Sequence, residues 1–235
     1  MSFDNYSLGI FITGDCNKNC EYCCYDIKYR EPFTFNDDSY QEIVNNVDCD
    51  KYTFVYLSGG EPLLYPDLNE LVPKILRDFP NAEVSLRTNG KLLDSYKWTG
   101  KPRIQVQISE YPGWNDEVVK RYSNTTNVKV IPYKGFVDFN DPANLGDVDA
   151  RTSYDRCYKF LWVKDGKVYE CCGSSIPEYK HGLKGVSMPL SEWSDDKIHL
   201  LRTVRACKLC VLGTVRYKEG RKGPHYDNTV DGGHL

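Results

Sequence analysis

Apolar residues recur at two spacings along the first half of the chain, and the two spacings take turns. Leu8-Gly-Ile-Phe-Ile-Thr13, Tyr52-Thr-Phe-Val-Tyr-Leu57, Glu83-Val-Ser-Leu-Arg-Thr88, Arg103-Ile-Gln-Val-Gln-Ile-Ser109 and Asn127-Val-Lys-Val-Ile131 are short, rich in β-branched and aromatic residues, and read as strands. In the fourth, Ile104, Val106 and Ile108 alternate with polar residues and share one face. Between the strands the period lengthens. Leu68, Leu71, Val72, Ile75, Leu76 and Phe79 fall at helical spacing. Tyr40, Ile43, Val44 and Val47 do the same behind a cap at Asn36 or Asp37, and a short helix is expected around Asp116–Tyr122. Strands separated by helices predict an α/β chain of βα units on a parallel sheet, curling toward a partial barrel through right-handed crossovers.

After Pro132 the pattern changes. Asp138–Arg151 has little periodicity and reads as a linker or covering loop. Phe160-Leu-Trp-Val-Lys and Lys167-Val-Tyr-Glu flank Asp165-Gly166, a strong hairpin signal. A helix is expected from about Asp195 to Ala206, and the polar, glycine-bearing stretch from Arg216 to Leu235 reads as a tail. The expected division is residues 1–135 for the barrel, 136–156 for the linker, 157–215 for a small hairpin-plus-helix region and 216–235 for the tail.

Composition narrows the function classes. Hydrophobic residues make up 40% and charged residues 27% of the 235, ordinary for a globular protein. A net charge of −3 gives no electrostatic case for a nucleic-acid partner. No apolar run is long enough to span a bilayer, and no signal-peptide pattern opens the sequence, so a cytoplasmic protein with no membrane partner is expected. Cysteine is the outlier: there are ten, clustered near the N-terminus and again in the last third, which points to two metal sites rather than a disulfide framework.

Cys16-Asn-Lys-Asn-Cys20-Glu-Tyr-Cys23 follows the first strand directly. Three soft thiolates on one loop can hold three irons of a cubane cluster and leave the fourth iron to a small molecule, whereas a structural zinc wants a fourth protein ligand. The spacing resembles the signature of the radical SAM superfamily, with Tyr22 at its usual aromatic position. Gly59-Gly60-Glu61-Pro62 resembles the family's GGEP motif, Thr88-Asn89-Gly90 its TNG segment, and Ser109-Glu110 stands where it places polar residues near the SAM ribose. The resemblance covers about residues 6 to 132 and implies a partial (β/α) barrel. It also implies a 4Fe–4S cluster on Cys16, Cys20 and Cys23, and S-adenosylmethionine held by Tyr22, Gly59, Gly60, Glu61, Asn89, Ser109 and Glu110. Cys24 breaks the spacing and is read as a packing residue, with a hydrogen-donating thiol as the sharper alternative; Cys49 is read as structural.

Cys157, Cys171 or its neighbour Cys172, Cys207 and Cys210 form a second set of four ligands, able to saturate a zinc ion or a 4Fe–4S cluster. With the hairpin between them they resemble the SPASM/twitch extension of radical SAM enzymes, and in its shorter twitch form the pattern implies one auxiliary cluster on Cys157, Cys171, Cys207 and Cys210. A short chain with such an extension resembles the radical SAM cyclitol dehydrogenases of aminoglycoside biosynthesis. That implies a two-electron oxidation of a small hydroxylated molecule, with the auxiliary cluster as electron acceptor and flavodoxin or ferredoxin as external donor. Arg87, Glu110, Tyr111 and Tyr133 are candidates for holding such a substrate, and no residue is assigned as base. Radical modification of a peptide or protein is the alternative; the first strand begins within about ten residues of Met1, which is expected to leave no room there for a leader-binding domain. A non-catalytic zinc-binding protein is the reading from another class.

Overall fold

The computed structural model describes residues 6–18, 20, 23, 25, 33, 35–98, 100–132, 150, 160–171, 173–175, 178, 182–201, 206 and 207. The strands are β1 (Ser7–Thr13), β2 (Phe54–Gly59), β3 (Glu83–Thr88), β4 (Ile104–Ser109), β5 (Val128–Ile131), β6 (Leu161–Lys164), β7 (Lys167–Tyr169) and β8 (Ser187–Pro189). Helix α1 (Asp37–Asn46) joins β1 to β2, α2 (Leu68–Asp78) joins β2 to β3, and α3 (Asp116–Tyr122) joins β4 to β5. The strands form one sheet in the order β5-β4-β3-β2-β1-β6-β7-β8. The first six pair in parallel, and β7 and β8 add antiparallel strands at the far edge. This is the partial (β/α) barrel arrangement, and the hairpin continues the same sheet: β6 lies parallel to β1, with Gly9 opposite Trp162.

Pleating sorts side chains to two faces. Leu8, Ile10 and Ile12 of β1, Val55 and Leu57 of β2, Val84 and Leu86 of β3, and Ile104, Val106 and Ile108 of β4 pack under the helices in the main core. Tyr40 and Ile43 of α1 and Leu68, Leu71, Val72 and Ile75 of α2 supply the other half of that core. The inner face carries a second cluster, Phe11, Tyr56, Phe160, Trp162 and Tyr169.

Asn36 is the cap of α1: its Oδ1 accepts from Ser39 N at 2.9 Å. α2 ends beneath Arg103, whose guanidinium donates to the carbonyls of Leu76, Phe79 and Ala82 at 2.7–3.1 Å. Leu76 and Phe79 lie at the helix end, where carbonyls lack an intrahelical partner, and Ala82 lies in the turn beyond it. The Asp165-Gly166 turn has φ of +51° and +65°, the two left-handed residues of a type I′ hairpin.

One element differs from expectation. Asp195–Leu200 is a 3₁₀ helix rather than the start of an α-helix, and residues 202–205 lie outside the described residues. Lys197 N bonds Ser194 O at 2.9 Å, the i→i+3 pattern of the tighter coil, and Leu200 is left 52% exposed. Leu201, the residue after it, is buried in the main core. The expected linker, apart from Ala150, and the tail also lie outside the described residues.

Candidate functional site

The cysteine loop leaves the C-terminal end of β1, and the ends of β2 and β3 close around its first half. Gly60 N donates to Thr13 O at 2.8 Å and Glu61 N to Asp15 O at 2.7 Å, so the glycine pair runs backbone-to-backbone with the start of the loop. A side chain cannot be accommodated there. A Cβ on Gly59 would lie 2.2 Å from Thr13 O, at a φ of +144°, and one on Gly60 would lie 1.9 Å from Asp15 O. From β3, Asn89 Nδ2 donates to Asn17 Oδ1 at 2.7 Å, tying the loop between Cys16 and Cys20 to a second strand end.

Glu61 is buried, and the protein itself engages its carboxylate. Oε1 accepts from Leu63 N at 3.1 Å and from Thr88 Oγ1 at 2.5 Å, while Oε2 accepts from Asn89 N at 2.8 Å. Burial raises its pKa, and the three hydrogen bonds oppose that shift. The glutamate thus braces the end of β3 against the end of β2.

Asn115 does the same between β3 and β4. It is fully buried; Nδ2 donates to Asn89 O and Ser109 O, and Oδ1 accepts from Tyr111 N, each at 2.8 Å. Glu110 N bonds Ile131 O at 2.9 Å, which brings in the end of β5. Over the loop, Lys18 Nζ sits 4.5 Å from the Tyr111 ring centre and 4.4 Å from that of Trp114. Gly59, Gly60, Glu61, Asn89, Ser109 and Glu110 are therefore gathered at adjacent strand ends beside Cys16, whereas Tyr22, Cys24 and Tyr133 lie outside the described residues. Asn17, Lys18, Trp114 and Asn115 were not legible as site residues in the sequence; the one available signal was an asparagine immediately before an acidic helix start.

Cys16, Cys20 and Cys23 are half-buried thiols. Burial pushes the Cys16 thiol up to about 11, with further upward pressure from the charges of Glu61, Cys20 and Cys23. The Lys18 N–H, 3.4 Å from its sulfur, pulls the other way. Among the described residues no three His, Cys, Asp or Glu side chains form a ready-made ligand set. The donor chemistry fits an iron–sulfur cubane: soft sulfurs on one short loop with a backbone N–H aimed at the first, where a bound cluster would stabilise thiolates that burial alone disfavours.

In the C-terminal region Cys171 repeats the first feature. Its sulfur accepts from Gly173 N at 3.4 Å, the same i to i+2 contact that Cys16 makes with Lys18. Cys207 is half-buried; Cys157, Cys172 and Cys210 lie outside the described residues. Arg87 and Tyr111 sit on the inner side of the sheet and at the β4 end respectively, with the Arg87 guanidinium 4.5 Å above the Tyr56 ring. Cys49, as expected, packs against the main core.

Residues 10–124 match the profile of the Radical SAM superfamily. A probable GTP 3′,8-cyclase of Methanococcus aeolicus is 27% identical over 212 residues, covering 80% of this chain and 68% of that protein. A second, of Methanocaldococcus jannaschii, is 32% identical over 135 residues, 53% of this chain and 42% of that protein. Among solved structures, BtrN in complex with AdoMet and 2-DOIA superposes with a TM-score of 0.58 at 16% identity, covering 91% of this chain and 89% of that one. The enzyme anSMEcpe with bound AdoMet and Kp18Cys peptide superposes with a TM-score of 0.53 at 15% identity, covering 88% and 84%. At these identities the two structures speak to the fold.

Proposed function

Residues 10–124 are a radical SAM domain, and on that premise we propose that this enzyme oxidises a small hydroxylated molecule by two electrons. The carrying observation is the clasp on the cysteine loop: Gly60 and Glu61 bond Thr13 and Asp15, and Asn89 bonds Asn17. When bound, SAM and a 4Fe–4S cluster supply a 5′-deoxyadenosyl radical that takes a hydrogen atom, and a second cluster supplies the acceptor for the electron left behind.

Cys16, Cys20 and Cys23 would hold the first cluster. Gly59 and Gly60, Glu61, Asn89, Ser109 and Glu110 would line the SAM site, with Tyr22 beside the third cysteine. Glu61 and Asn115 hold the strand ends at fixed separation, so these groups need not reorganise as the cofactor docks. Cys157, Cys171, Cys207 and Cys210 would hold the second cluster in a twitch-like region over residues 157–215; the N–H directed at the Cys171 sulfur supports that cysteine as a ligand. Flavodoxin or ferredoxin would serve as reductant. A second reading, action on GTP, is favoured by the names of the sequence relatives.

The test is iron, sulfide and zinc content after anaerobic reconstitution, paired with a dithionite-driven assay for 5′-deoxyadenosine. About eight irons per chain, falling to about four with loss of SAM cleavage when Cys16, Cys20 and Cys23 become Ala, is expected. About four irons with zinc would demote the C-terminal site to structure. Zinc alone without deoxyadenosine would refute the reading.

A further inference from the structure

Two lysines share one indole at the rim of the site. Lys18 Nζ lies 4.4 Å from the ring centre of Trp114 and 4.5 Å from that of Tyr111, and Lys91 Nζ lies 5.0 Å from the Trp114 centre. The two rings stand edge to face at 88°, 6.0 Å apart, and Trp114 N donates to Tyr111 O at 2.9 Å. Asn115 fixes the turn that carries them, since it accepts from Tyr111 N and donates to Asn89 O and Ser109 O. An aromatic face holds an ammonium group without neutralising it. Among the described residues no carboxylate forms an ion pair with either lysine. Asp116, the acidic residue of the turn, directs both oxygens to Gly113 N at 3.0 Å. Asp15 and Glu117 are exposed on the flanking segments, so the rim offers a fixed pair of cations rather than a broad basic field.

The pair faces solvent. Asn17, Lys91, Pro112 and Gly113 are exposed, and a Cβ on Gly113 would meet nothing within 4 Å. Lys18 is itself part of the cysteine loop: its N–H points at the Cys16 sulfur, and its carbonyl accepts from Cys20 N at 3.0 Å. A protein held by these lysines is held against the loop that would carry the first cluster. In a chain of net charge −3 an acidic partner is repelled overall, and local cations decide where it lands. We propose, on the reading that Cys16, Cys20 and Cys23 hold a cluster, that Lys18, Trp114 and Lys91 form the docking surface for an acidic protein that carries one electron. Carboxylates of the carrier meet the two ammonium groups, and the exposed edge of the turn supplies the contact between them. One electron leaves the reduced carrier and enters the oxidised cluster, and no atom is transferred.

The test is anaerobic stopped-flow reduction of the reconstituted enzyme by reduced flavodoxin, followed by the cluster absorbance over a range of salt, with dithionite as the small reductant. The wild-type rate with flavodoxin should fall about five-fold or more as ionic strength rises from about 0.05 M to about 0.3 M. At low salt Lys91→Glu should slow it about ten-fold and Lys91→Arg should leave it near wild type, while reduction by dithionite and calorimetric SAM binding stay unchanged in both. A salt-independent wild-type rate, or an undiminished rate in Lys91→Glu, would overturn the docking surface. So would weakened SAM binding in Lys91→Glu, which would put the lysine in the cofactor site instead. The wild-type salt dependence decides even if a variant fails to fold. A preparation without iron on the three cysteines sinks the radical SAM reading and the docking surface together. A cluster that dithionite reduces and that is indifferent to the charge at Lys91 sinks the docking surface alone.

Discussion

Replacing Asn115 by Ala removes a side chain that joins the ends of β3 and β4. Three hydrogen bonds of 2.8 Å disappear at a fully buried position, leaving Asn89 O, Ser109 O and Tyr111 N to be satisfied otherwise. Each of the two bonds to carbonyls contributes about 1 kcal/mol net, and the orphaned N–H costs about 1–3 kcal/mol, so a loss of about 3–5 kcal/mol follows. For a chain of this size that is a fall in Tm of roughly 6–20 °C. Asn115→Asp sharpens the case. It keeps an acceptor for Tyr111 N but turns an oxygen onto two carbonyls, so it should be at least as destabilising as Ala despite its near-identical shape. Urea unfolding under anaerobic conditions measures the loss. The KM for SAM, measured by deoxyadenosine formation, should rise as the two strand ends separate. If Asn115→Ala cost less than about 1 kcal/mol, with Asp milder than Ala and KM unchanged, the clasp would be incidental.

Gly60→Ala forces a methyl group to within 1.9 Å of Asp15 O. The loop must move, and iron bound per chain should fall with little change in far-UV circular dichroism; full iron loading would contradict this. Arg103 holds φ at +59° while its guanidinium caps α2. Arg103→Ala and Arg103→Gly both lose the cap, but Gly escapes the left-handed penalty, so denaturant titration should find it more stable by about 1 kcal/mol. Asp78 is held below the usual carboxylate range, first by the hydrogen bond from Arg77 and then by that from the Tyr40 hydroxyl. Its folded pKa is depressed, so its contribution is complete above a pH of about 3.9 and is lost as pH falls through the lower folded value. Tyr40→Phe should make acid unfolding less steep; an unchanged acid limb would remove Tyr40 from that account.

What the sequence revealed divides along physical lines. Strands β1–β5 and the helices were legible in different ways: β4 and α2 bury one face, which imprints a period of two on Ile104, Val106 and Ile108 and of 3.6 on Leu68, Leu71, Val72 and Ile75, whereas β1 is buried along its whole length and shows as a short apolar run. Gly59 and Gly60 were legible through their resemblance to the GGEP motif, and the close backbone approach in the structure gives the physical reason that no other residue fits there. Asn115 and Asn17 left no such trace: they act through hydrogen bonds that only the folded strand ends bring within reach, and any surface asparagine looks the same in a sequence. β8 was missed because three residues, one of them proline, carry no periodicity, and the strand exists through its pairing with β7.

The place of β6 beside β1 has a consequence for how the chain is made. β1 is made before the other strands described, and one of its edges waits for Leu161–Lys164, about 150 residues later. At about 5–20 residues per second, the ribosome leaves that edge uncovered for roughly 8–30 s. During that interval Leu8, Ile10, Phe11 and Ile12 offer an apolar strand edge to any passing chain. Slower translation at lower temperature prolongs the interval, so soluble yield should depend more on chaperone supply than on growth rate. Iron delivered before residue 164 emerges would meet a cysteine loop whose supporting strand is still half-paired.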